Sequence, residues 1–93
     1  MSEKIPLIRE LPFYTEKATG DRVQALEIMF ITGSPRGCLI IPKNQRYAAF
    51  EVATGWIEAQ DAKDGDFVVW QPGQPVRTMR PDAFDAEYRP TAE

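Results

Sequence analysis

The sequence predicts an α+β fold: a small, mostly antiparallel β-sheet or partial barrel, built as a meander and finished by a short C-terminal helix. Three observations predict it. Eight prolines and six glycines in 93 residues interrupt the chain too often for long helices and favour hairpin turns. Apolar β-formers come in short runs between those turns. The one clear helical start, Pro81-Asp82, falls close to the C-terminus. A chain of this length supports a single domain, 1–93. We divide it into an N-terminal arm (1–20), a β-meander (21–79) and a short helix (80–90).

In the arm, Ile5, Leu7, Ile8, Leu11, Phe13 and Tyr14 are apolar, but Pro6 and Pro12 forbid a continuous helix. An extended segment that packs on the body, with one helical turn between the prolines, is expected. Val23 to Thr32 is rich in β-formers and predicts a strand, with a helix as the alternative. Gly33-Ser34-Pro35-Arg36-Gly37 reads as a loop, Cys38 to Ile41 as a short apolar strand and Pro42-Lys43-Asn44 as a turn. Tyr47 to Ala53 is expected to pair with a strand at Trp56 to Ala62 across Thr54-Gly55. Asp64-Gly65 is the strongest turn signal, because glycine supplies the positive φ of a tight turn. Phe67-Val68-Val69-Trp70 is apolar on both alternating faces, which predicts a central strand covered on both sides. Pro72-Gly73-Gln74 turns the chain into a strand at Val76 to Met79.

The final element carries helix signals. Pro81 suits the first helical position, Asp82 complements the dipole, and Phe84 and Tyr88 share one face. Met79 and Phe84 stand where a hydrophobic staple would place them. Phe84 and Tyr88 are expected to bury against the sheet face that carries Trp70 or its neighbours. Pro90 ends the helix.

Composition excludes several chemistries. The apolar share is 43%, enough for a packed core. Net charge is −3, with seven Lys/Arg against five Asp/Glu in residues 1–47 and four against nine in 48–93. That balance disfavours non-specific nucleic-acid binding, which draws on many cationic contacts. One cysteine, Cys38, and no histidine leave no intrachain disulfide and no multi-thiolate zinc site. This usage fits a reducing compartment, and with no apolar run of membrane length or signal-peptide core, a cytoplasmic protein with no membrane role is expected.

Each candidate site meets a structural alternative. Asp61, Asp64 and Asp66 cluster, but the residue eleven beyond Asp61 is Pro72 rather than the glutamate of a calcium loop. Turn chemistry is the expected role. The Gly33–Gly37 segment lacks the Gly-Lys-Ser/Thr ending and the helix of a phosphate cradle. Cys38 sits in the apolar run 38–41, as a small buried hydrophobe would. Glu51 and Glu58 are expected on facing strands, as solvated residues rather than an acid–base pair. No catalytic residue, cofactor or metal is assigned. Partner binding falls instead to Arg36, Lys43, Arg46, Tyr47, Trp56 and Arg77; Trp70 is a further aromatic candidate, expected in the core. Aromatic rings beside arginine are the usual anchors for a protein or a stacked base.

From Ala48 onward the chain resembles the PGDYG family of small proteins found in phage and prophage genomes. The resemblance rests on Gly65-Asp66, on Phe67 in place of the family's Tyr, and on Pro81, Phe84 and Tyr88 in its terminal Pro-x-x-Phe-x-x-x-Tyr pattern. Asp64 replaces the motif's proline and Val68 its second glycine. The resemblance implies a compact α+β domain with no activity or site to carry over. The expected function is that of a non-enzymatic phage or prophage accessory protein that binds a macromolecule, a host protein being one candidate. The alternative is a nucleic-acid or nucleotide binding module using the Arg36–Arg46 region, and a third reading is a small enzyme using only carboxylates.

Overall fold

A computed structural model describes residues 11–91. Its elements run β1 (Phe13–Glu16), β2 (Arg22–Ser34), β3 (Gly37–Pro42), β4 (Phe50–Val52), α1 (Thr54–Gln60), β5 (Phe67–Trp70), β6 (Arg77–Met79), α2 (Pro81–Glu87) and β7 (Tyr88–Pro90). β2 organises the sheet, because its 13 residues serve three antiparallel partners in succession. β1 pairs along Arg22–Gln24, β5 along Gln24–Glu27 and β3 along Ile28–Ser34, with a bulge between Ile28 and Phe30. The pairing path is β4-β3-β2-β1-β7, and β5 carries β6 on its other side.

Side-chain alternation sorts this sheet into two cores. Val23, Ala25, Phe67 and Val69 point to one face and pack with Phe84 and Tyr88. Leu26, Ile28 and Val68 point to the other, with Leu11, Ile40 and Phe50. β5 is thus central and covered on both faces, as its apolar run predicts. α2 covers the first face, where Phe84 stacks on Phe67. Trp70 lies on the opposite face, so the helix docks on Trp70's neighbours, not on Trp70 itself. Pro81 occupies the start of α2, Asp82 its first turn, and Met79 packs on the same core as Phe84, as a staple requires.

The expected helix over 80–90 is shorter. It stops at Glu87, and Tyr88–Pro90 instead forms β7 against β1. Pro90 biases Arg89 to an extended backbone, and its missing N–H is tolerated at the sheet margin. In the arm, the expected extended segment includes strand β1 at 13–16, and Leu11 is buried on the body. Ile5, Leu7, Ile8 and most of the expected helical turn fall outside the described residues.

A second correction concerns 54–62. Thr54-Gly55 opens helix α1 rather than a hairpin, and β4 pairs with β3. Glu58, Ala59 and Gln60 are good helix formers. Ala53 C=O accepts the Trp56 and Ile57 N–H groups, and Asp61 ends the helix in a left-handed conformation at φ 53°. Glu51 and Glu58 therefore do not face each other across strands; Glu58 is exposed on α1. Asp64-Gly65 does turn the chain, with Asp66 N–H donating to Lys63 C=O at 3.1 Å, but it links α1 to β5.

The Gly33–Gly37 loop shrinks to a two-residue turn, since Gly33 and Ser34 pair with Cys38 and Gly37. Gly37 has φ +153°, and a Cβ there would lie 2.5 Å from the Val52 carbonyl oxygen. No larger residue fits this crossing of β3 with the β4–α1 junction.

Candidate binding groove

Among the described residues the sheet stays open between β4 and β6, and α1 lies across part of that gap. Pairing parity shows which backbone groups face it. On β5, residues 67 and 69 bond β6, leaving Thr78 of β6 pointing outward. Gln60 at the end of α1 meets it: Thr78 N–H donates to Gln60 Oε1 at 3.0 Å, and Thr78 Oγ1 donates to Gln60 C=O at 3.4 Å. The β6 edge is thereby capped.

The rest of the gap is a cavity of about 340 Å³. β4 and Ala53 form one side, and Val68, Trp70, Trp56 and Val76 line the rest. It continues past Trp70 and Val76 into a second depression of about 230 Å³ lined also by Gln24, Gln71, Pro72 and Gln74. Phe50 and Trp70 lie 6.2 Å apart between ring centroids. Both tryptophans are half-buried against the core of Leu26, Ile40 and Phe50. This is a concave, chiefly aromatic and aliphatic site of ligand-pocket dimensions.

The sequence-derived candidates do not converge on one place. Arg36 is exposed at the β2–β3 turn. Lys43 pairs with Glu27 at 3.5 Å, an exposed contact of little energetic weight. Arg46 is exposed, its guanidinium 6.0 Å from the Tyr47 ring centre, and Tyr47 packs on the same core as Trp56. Arg77 is set apart. It donates to Gln71 Oε1 at 3.1 Å and to Tyr88 Oη at 2.9 Å, so it holds the α2 face together. Only Trp56 of the six lines the groove. The sequence singles out neither Phe50 nor Val76; Trp70 is one of its aromatic binding candidates but is expected in the core, and it both packs on that core and lines the groove.

The three aspartates have structural duties. Asp61 pairs with Lys63 at 3.0 Å. Asp64 Oδ1 accepts the Ile31 N–H at 3.0 Å. Asp66, 1% exposed, accepts Lys63 N–H at 3.0 Å and the Arg80 guanidinium at 2.7 Å. Cys38 is half-buried rather than buried, with Sγ 3.8 Å from Thr54 Oγ1. Among the described residues, no helix is long and apolar enough to cross a membrane.

Comparison with family models, curated proteins and solved structures finds no match.

Proposed function

We propose that this chain is a non-catalytic accessory domain of the cytoplasm that binds a protein partner and takes an apolar side chain of that partner into the Trp56–Trp70 groove. The observation that carries the reading is the groove itself: two half-exposed tryptophans on an apolar concavity. Interface energy concentrates where aromatic residues meet a desolvated pocket.

The nucleic-acid alternative has less support. Arg36, Lys43 and Arg46 allow a salt slope of only about −2 to −3, at ~0.7–0.9 per contact, and Lys43 already has a carboxylate partner. The test is affinity purification with the intact chain and its Trp56→Ala variant, alongside fluorescence anisotropy with a labelled oligonucleotide. A protein retained by the wild type and lost by the variant is expected. Micromolar oligonucleotide binding at physiological salt, abolished by Arg46→Ala, would overturn the reading in favour of its alternative.

A further inference from the structure

We infer that the partner enters as an extended segment that adds to the outer edge of β4, with apolar side chains in the groove and a lysine or arginine opposite Glu51. The inference rests on the protein-binding reading above and specifies its chemistry.

The edge follows from register. Ser34 and Gly37 flank the two-residue turn, and Ile31 directs its N–H away from β3 to Asp64. Residues 37, 39 and 41 of β3 therefore bond β2, while Cys38 and Ile40 bond β4 through Val52 and Phe50. Glu51 is left with its N–H and C=O on the outer edge, beside the cavity that this same run lines. Unlike Thr78 on the opposing edge, it meets no cap from α1. Such an edge is a template for one more strand.

Alternation then dictates what that strand carries. Phe50 and Val52 point into the core and Glu51 to the opposite face. A partner residue paired with Glu51 shares its face, and the residues on either side of it turn into the groove. Among the described residues the Glu51 carboxylate has no ion pair or hydrogen-bond partner. β4 and α1 together carry Glu51 and Glu58 and no lysine or arginine. An opposite charge directly across an antiparallel pair is favourable and a like charge unfavourable. The complementary segment is thus apolar–basic–apolar in extended conformation. Two main-chain hydrogen bonds at Glu51 set its register, and the tryptophans supply most of the affinity.

The experiment pans a random heptapeptide library against the intact chain and measures the synthetic winners by tryptophan fluorescence. Enrichment of apolar–basic–apolar peptides is expected. N-methylation of the central peptide residue should weaken binding about tenfold, through one lost hydrogen bond and a methyl in the seam. Glu51→Lys should invert the preference toward an acidic central residue. Peptides that need Trp56 but ignore both N-methylation and Glu51→Lys would overturn strand addition while leaving the groove reading standing. Binding indifferent to Trp56→Ala would overturn both. No enrichment, or self-association abolished by Trp56→Ala, would overturn the inference, the latter in favour of a second copy as occupant.

Discussion

Phe84 lies face to face on Phe67, with ring centroids 4.1 Å apart and planes 8° from parallel. Tyr14 closes the stack edge-on to Phe84 at 4.9 Å, and Tyr88 lies 5.0 Å from it on another side. One side chain of a seven-residue helix thus ties α2 to β1, β5 and β7.

Phe84→Ala is expected to cost about 3–5 kcal/mol, since it empties a fully enclosed aromatic site. Asp85→Ala, on the exposed side of the same helix, should change stability by about 0.5 kcal/mol or less. Chemical denaturation of both variants checks this. Equal small effects would mean that α2 is not docked as described.

Gly37→Ala should destabilise by about 1–3 kcal/mol, through strain at positive φ and the collision with the Val52 carbonyl. Gly33→Ala, four residues earlier and with nothing within 4 Å of the added Cβ, is the control and should be close to neutral. Thermal melts of the pair separate the crossing from any general cost of filling a glycine.

Asp66→Ala should cost about 1.5–3 kcal/mol, the range for a hydrogen bond to a charged group. It leaves the Lys63 N–H without its acceptor and frees Arg80. Arg80 is 54% exposed at its side chain and can return to water, so Arg80→Ala should cost less than Asp66→Ala. The reverse order in denaturation midpoints would contradict this division of labour.

Burial, with the negative charges of Glu27 and Asp85 adding to it, raises the Tyr14 phenol above its ordinary 10.0. The folded state then holds the phenolic proton more tightly than the unfolded chain. This contribution is fully present below pH 10 and is lost as pH rises through the folded value. Tyr14→Phe should therefore flatten the fall in stability above about pH 10, relative to the wild type. An unchanged alkaline slope would exclude the linkage.

Legibility in the sequence followed how local the cause was. β5 was readable because all four residues are apolar and alternate between two covered faces. α2 was readable from Pro81, Asp82 and the Phe84–Tyr88 spacing. α1 was misread because Thr54-Gly55 looks like a hairpin turn, while the helix depends on the Ala53 carbonyl and on Gln60 reaching Thr78. β7 depends on pairing with β1, more than 70 residues away in the chain, and no short window contains that information. The groove was half visible. Trp56 stood out as a candidate, but its juxtaposition with Trp70 and Val76 arises only when β2 brings its partners together. Arg77 looked available for a partner because the Tyr88 hydroxyl that engages it comes from another element.

β2 and β5 are common to both cores, and their residues alternate between them along a few ångströms of backbone. Neither core can lose its lining without exposing the other, so the two should melt as one cooperative unit despite facing opposite ways. Amide protons along Val23–Ile28 would then exchange only through global opening, and a perturbation on the α2 face would be felt, undiminished, in the stability of the groove.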